Sequence, residues 1–273
     1  MRSYFENGKP ERYDRVHLPA PCIPRVVLTA FRALAALNTV TTWIMCVVHD
    51  RGTMFLYYTQ WGHTMTMITF LLLLVTSLTK RRSPNPFQEE ESLASSDSLV
   101  RDSGDQVSRS SRSEGRLPVW KFALVLFSLT LTCEILITLA YWTMLYDPDE
   151  EMSQYETVMN FFVHLVPTLL LLCEFALNSV VFKFSHGLWL LFIFVTYTIT
   201  NLIGTKERGT PIYSILTWEN ASTAVMLVGM LLGGAVVYLA LFLITRIRER
   251  RYTKKHPEET GKRKGSIING EVM

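Results

Sequence analysis

Six stretches of this chain stay apolar long enough to matter: residues 26–48, 55–79, 119–145, 158–181, 186–205 and 221–245. Each is near or above the roughly 20 residues that carry a helix, at about 1.5 Å per residue, through a hydrocarbon layer about 30 Å thick. Lipid offers no partner to a backbone N–H or C=O, so these segments are predicted to be helices rather than open strands. The fold class that follows is all-α: a polytopic membrane protein with six transmembrane helices.

The fourth stretch carries polar groups along one side. Asn160, His164, Pro167, Leu171, Glu174 and Asn178 recur at spacings of three and four, the signature of a single helical face. An ionisable side chain in hydrocarbon costs about 2.5 to 3.5 kcal/mol on insertion scales, so it normally faces protein or a water-filled cavity. That face is therefore expected to point into the bundle. Placing the other polar residues by depth gives two levels. An outer level holds His63, Thr64, Thr66 and His164; an inner level holds Arg32 and Glu174, with Asn38 and Glu134 near the middle. Glu134 shares a face with Thr130, Thr138 and Tyr141 and has no basic residue at its depth, so a protonated carboxyl is expected there.

Lys and Arg set the expected topology. The N-terminal tail to Arg25 carries five, the 80–118 loop seven and the segment from Arg246 onward nine, whereas the opposite side has only Arg51, Lys206 and Arg208 and an acidic 146–157 loop. With both termini cytoplasmic, every loop obeys the positive-inside bias. The organisation expected is a cytoplasmic tail over 1–25, a membrane domain over 26–245 and a basic cytoplasmic tail over 246–273. The membrane domain is interrupted by a disordered loop at 80–118. That loop has almost no aromatic or branched apolar residue to bury, and Ser83, Ser110, Ser111 and Ser113 follow arginines, so cytoplasmic kinases or adaptors are its expected partners. The net charge of +3 adds little; the basic tails serve as topology determinants or touch anionic headgroups, and no nucleic-acid partner is expected. Cys22, Cys46, Cys133 and Cys173 show no paired spacing and suggest neither a disulfide nor a zinc site. No cleavable leader is read in the polar first 20 residues, and Asn220-Ala221-Ser222 is a glycosylation sequon close to the sixth span. An integral membrane location is expected, in an ER-like endomembrane or the plasma membrane.

The outer level suggests chemistry. A threonine hydroxyl becomes a nucleophile when a base takes its proton, and histidine is the usual base. Thr64 with His164 suits acyl transfer, with Thr66 as the alternative nucleophile. Gln60 and Asn160 would be the oxyanion or positioning groups and His63 a further positioning residue. Thr64 and Thr66 lie about 200° apart on a helix, so only one can meet His164. Pro167 strips the Val163 carbonyl of its helical partner and is expected to kink the helix beside His164. Competing readings remain: a non-enzymatic receptor or scaffold with a structural polar stripe, a transporter path past Glu134, Glu174 and His164, or a metal held by His63 and His164, a thin ligand set. No cofactor or resident metal is expected. At the inner level Arg32 and Glu174 are expected to touch, with snorkelling as the alternative for Arg32. Gly229 and Gly233, with Gly234, are expected to allow a close helix approach. Tyr213, Trp218 and Trp61 suit an outer aromatic belt, a role that fits Tyr213 better than Trp61.

Three separated motifs, Tyr58 to Thr64, Asn160 to Asn178, and Ile212-Tyr213-Ser214-Ile215-Leu216-Thr217-Trp218, carry a resemblance over residues 55 to 245. Together they resemble a superfamily of six-span membrane proteins. It includes the androgen-induced-protein family of animal lipid hydrolases, the rolling-stone-like proteins and an uncharacterised plant group. The animal members imply an intramembrane threonine nucleophile in the second span, a histidine in the fourth, and hydroxy-fatty-acid esters as substrate. His164 matches the histidine position. The animal nucleophile position falls at Met65, and Thr64, three residues after Trp61, fits the plant-like and rolling-stone-like pattern instead. The rolling-stone-like branch implies a developmental or adhesion role. Membrane lipids are the implied partners in either case.

Overall fold

The computed structural model describes residues 23–50, 53–79, 119–149 and 151–255. The expectations for the 80–118 loop and its serines, for Cys22, and for the tails before residue 23 and after 255 lie outside the described residues. The elements are α1 (Arg25–Asp50), a 3-10 turn (Thr53–Leu56), α2 (Tyr58–Thr79), α3 (Val119–Ala140) continued by a π-helical turn (Tyr141–Leu145), α4 (Gln154–His164), α5 (Val166–Leu177), a second 3-10 turn (Phe184–Gly187), α6 (Leu188–Arg208) and α7 (Ala221–Lys255). Among the described residues there is no strand element, and six helical spans are long and apolar enough to cross a membrane. The end of the bundle away from most Lys and Arg is called the outer end here.

Three boundaries differ most from those read off the apolar runs. The fourth span starts at Gln154 because Ser153 and Glu156 form a reciprocal cap: the Ser153 hydroxyl accepts the Glu156 N–H and the Glu156 carboxylate accepts the Ser153 N–H at 2.8 Å. It ends at Leu177, so Asn178 is an extended cap residue rather than a helical one. The sixth span runs to Lys255, ten residues beyond its apolar part, through a basic segment where Arg246 and Glu249 form an i,i+3 ion pair. The fourth span is also broken as Pro167 requires. Leu165 (φ −114°, ψ −48°) separates α4 from α5, and the Thr138 hydroxyl donates to the carbonyl of His164 at the break.

Hydroxyl residues sit inside these helices because each can return its proton to the preceding turn. Thr39, Thr64, Ser77, Thr132, Thr143, Thr196, Thr198 and Thr200 all donate to the carbonyl four residues back. The third span is the most buried and the fifth and sixth the most exposed to lipid. The core gathers around α3, where Phe127 and Leu131 pack with Phe70 and Leu73 of α2, Leu171 of α5 and Phe182. Gly62 lets α2 approach α3: a Cβ there would stand 2.4 Å from Ile137 Cδ1 and 2.8 Å from Glu134 Oε1. Of the small residues in the sixth span, Gly233 and Gly234 lie against Leu136 of α3, while Gly229 faces open space; the close approach is within the chain and does not include Gly229.

Arg32 and Glu174 meet with no exposure on either side chain. Arg32 Nε stands 3.1 Å from both carboxylate oxygens, and its other nitrogens donate to Glu174, to the Leu73 carbonyl and to Ser77. Asn178 donates to Glu174 at 2.9 Å and accepts the Val180 N–H, which turns the chain after α5. Arg248 of α7 then donates to the carbonyls of Phe175 and Asn178, a cation on the negative end of α5. One network thus joins all the spans except the third and fifth.

Removing one partner of a buried pair strands the other, which costs about 3–5 kcal/mol, whereas an apolar pair of similar volume is often neutral. Thermal unfolding in detergent should therefore show Arg32→Ala and Glu174→Ala each destabilised by about that amount, with Arg32→Met/Glu174→Leu regaining most of the loss. Single variants within about 0.5 kcal/mol of the parent, the range of ordinary surface changes, would contradict the pairing. Gly62→Ala overpacks the α2–α3 contact and should cost about 1–3 kcal/mol in the same measurement.

Candidate functional site

The outer ends of α1, α2, the π-helical turn and α4 surround a cavity of about 430 Å³. Thr59 and Gln60 of α2, Tyr141 of the π-helical turn, Asn160 and His164 of α4, and Tyr213 from the loop after α6 all line it, with Cys46 and His49 of α1 and Glu156 at its edge. The sequence placed Gln60, Asn160 and His164 at one polar level, and the fold brings them to this one cavity.

His164 is held by its ring face. The imidazole lies on the Tyr141 ring with centroids 3.4 Å apart and planes within 6°. The π-helical turn sets this up by widening the helix at Tyr141, and such turns recur at functional sites. The backbone of His164 is fixed by Thr138, whose hydroxyl lies 2.6 Å from that of Thr168, and Thr168 donates to the Glu134 carbonyl. One ring nitrogen is not spent on the protein: His164 Nδ1 is buried without a hydrogen-bond partner, and so is Gln60 Oε1. Buried polar atoms are nearly always paired, so two orphans on residues of one cavity wall mark a place where something else binds.

The two threonines offered by the sequence are engaged elsewhere. Thr64 donates to the Gln60 carbonyl at 2.7 Å and accepts the Trp43 indole N–H at 3.0 Å. Thr66 lies against α3, 2.9 Å from Glu134 Oε1 and 3.0 Å from the Gly62 carbonyl, so its one proton serves those acceptors. Neither lines the cavity; the threonines that do are Thr53 and Thr59. His63 faces α1, where Nε2 donates to the Thr39 carbonyl at 3.2 Å and leaves Nδ1 as an unpartnered acceptor. Glu134 takes only the Thr66 hydroxyl on one oxygen, and its other oxygen has no partner among the described residues. Arg32, Glu174 and Asn178 belong to the inner network and hold the helices rather than the cavity. Among the described residues no three His, Cys, Asp or Glu side chains converge to hold a metal. Among the described residues Cys46, Cys133 and Cys173 form no disulfide.

Sequence reasoning missed the tyrosine frame. Tyr213 has a role beyond an aromatic belt: its hydroxyl accepts the Tyr58 N–H at 2.9 Å, capping the start of α2, and burial pushes its phenol above the ordinary value so that it stays protonated. Tyr58 in turn packs on Tyr197, with ring centroids 4.6 Å apart, and Tyr197 donates to the Leu56 carbonyl. Trp218 does reach into the protein, donating to Asn201 at 2.8 Å, and Trp61 donates to the Phe55 carbonyl. The only signal for this frame in the sequence was the density of tyrosines on both sides of the same bundle end.

The geometry can be compared with known proteins. The family model described as protein rolling stone matches residues 13–256. The rolling stone protein of Drosophila melanogaster is 25% identical over 227 residues, covering 80% of this chain and 76% of that protein. No solved structure matches. Across nearly its whole length, including every residue of the cavity and of the inner network, the chain belongs to the rolling stone family.

Proposed function

We propose that this multi-pass membrane protein is a receptor-type binding protein for an amphipathic ligand whose polar head enters the outer cavity. The observation that carries the reading is that two residues lining one cavity, His164 and Gln60, each hold a buried polar atom, Nδ1 and Oε1, without a hydrogen-bond partner. A ligand offering a donor and an acceptor would satisfy both, and a site that hydrogen-bonds its ligand discriminates strongly against analogues lacking those groups. Tyr141 fixes the imidazole plane in advance, which lowers the ordering cost of binding. Exposed Phe161 and Phe162 on α4 give the apolar remainder of an amphiphile a lipid-facing surface beside the cavity.

A second reading is supported by the same imidazole. With Asn160 and Gln60 on the walls, His164 has the surroundings of a general base, and a fatty-acid ester bound there would meet an esterase. The engaged hydroxyls of Thr64 and Thr66 weigh against it. A nucleophile from either would need a rearrangement, whereas Thr59 already lines the cavity, hydrogen-bonded to Tyr213.

Photolabelling decides between them. A diazirine-bearing hydroxy-fatty-acid ester added to the reconstituted protein should label peptides within 57–60 and 155–164. His164→Ala or Gln60→Ala should reduce labelling by on the order of tenfold, the size of one lost hydrogen bond to a buried group. Met159→Trp, which fills the cavity, should abolish it. Under the binding reading the ester is recovered intact; turnover lost in Thr59→Ala or Thr64→Ala as well as in His164→Ala would establish the esterase instead. Labelling indifferent to all of these variants would contradict both.

A further inference from the structure

The outer cavity has a wall chemistry that its two unpartnered residues do not account for. Four tyrosines line it: Tyr57 just before α2, Tyr141 of the π-helical turn, Tyr155 of α4, and Tyr213. Tyr57 and Tyr213 meet with ring centroids 5.8 Å apart and planes at 82°, like two adjoining sides of a box. The Tyr213 hydroxyl is spent on the Tyr58 N–H and on Thr59, so what it can offer a guest is its ring. A tyrosine ring is negative on its face and attracts a cation within about 6 Å of its centroid.

The charges around the cavity favour the same sign of guest. Glu156 lines it, and its cap to Ser153 uses only Oε2, which accepts both the Ser153 N–H and the Ser153 hydroxyl at 2.8 Å. Its Oε1 has no hydrogen bond among the described residues. The segment leading into Tyr155 and Glu156 exposes Asp147, Asp149 and Glu151. Among the described residues that line the cavity there is no lysine or arginine, and the nitrogen bases are His49 and His164, each laid against a tyrosine ring. Fixed negative groups beside a concave wall raise the local concentration of cations. An anionic head would meet Glu156 and the acidic segment with no lysine or arginine on the wall to hold it.

The kind of cation follows from the same walls. A primary ammonium brings N–H donors out of water, and each must find an acceptor. A fully methylated ammonium brings none, and ring faces with a carboxylate nearby satisfy it. We infer that the head admitted by the outer cavity is a quaternary ammonium of the choline type, held against Tyr57 and Tyr213 with Glu156 at the mouth. This rests on the ligand-binding reading of the same cavity and narrows its ligand to one chemical class.

The test uses three photoprobes with the same diazirine-bearing chain, headed by trimethylammonium, hydroxyl or carboxylate, titrated against the full-length protein in an uncharged maltoside detergent. The trimethylammonium probe should label peptides within 57–60 and 155–164 at a concentration about tenfold below that needed by either other head, the size of one desolvated cation–ring contact. Tyr57→Leu should remove most of that preference, and so should Glu156→Gln, which keeps the capping box. Tyr57→Phe, which keeps the ring and drops the hydroxyl, should retain it. Labelling of these peptides with no preference among the heads, or with the order reversed, would overturn the quaternary ammonium and leave the binding reading standing. A preference unchanged in Tyr57→Leu and Glu156→Gln would overturn it equally, as would one lost in Tyr57→Phe. No labelling of these peptides by any head would overturn both.

Discussion

A guanidinium and a carboxylate sealed together inside hydrocarbon are the constraint around which this bundle is arranged. Arg32 and Glu174 come from the first and fourth spans, and both are fully buried. Neither charge is tolerable alone at that depth, so the two helices can pack only in the register that joins them. The pair then recruits its neighbours. Ser77 and the Leu73 carbonyl hold the guanidinium from α2, while Asn178 holds the carboxylate and ends α5, and Arg248 from α7 covers the carbonyls that the helix end leaves open. With the inner end fixed in this way, the outer end can afford unsatisfied groups.

The outer end uses that freedom. The fourth span breaks at Leu165, the third widens into a π-helical turn at Tyr141, and the two irregularities bring an imidazole and a phenol ring face to face. Irregular backbone at membrane depth survives only when its freed groups find partners, and Thr138 and Thr168 supply them. The result is a histidine oriented by stacking and by its backbone, with hydrogen-bonding capacity left over. On the other side of α3 an apolar cleft against α6 and α7 is open for the opposite reason: α6 and α7 are the most lipid-exposed spans and close less tightly on the core.

Much of this could be read from the residues alone. The six crossings follow from run length, and the Arg32–Glu174 pair from the cost of two isolated charges at one depth. The break beside His164 follows from Pro167. The inward face of the fourth span is real for Asn160, His164, Leu171 and Glu174, because helical periodicity is a local property. Partner choice among hydroxyls was not legible. Thr64 and Thr66 point to Trp43 and Glu134 because of how α2 rotates between α1 and α3, and rotation is set by packing such as Gly62 on Ile137, which no spacing rule encodes. The Tyr141 stack was hidden for a similar reason, since it depends on a π-helical turn that has no sequence signature. The extension of α7 to Lys255 was missed because hydropathy reports the end of the bilayer rather than the end of the helix.

Polar residues of the second and fourth spans line one cavity at the outer end of the bundle, and any ligand would have to reach it from that end. Thiol accessibility tests it most directly, using protein whose native cysteines are replaced by serine and which is reconstituted with a single known orientation. An impermeant maleimide applied to the outer face should modify Asn160→Cys and Met159→Cys rapidly and leave Leu171→Cys, in the dry core below, unmodified. Unreactive cysteines at 159 and 160, or modification only from the face that carries the basic termini, would contradict the account.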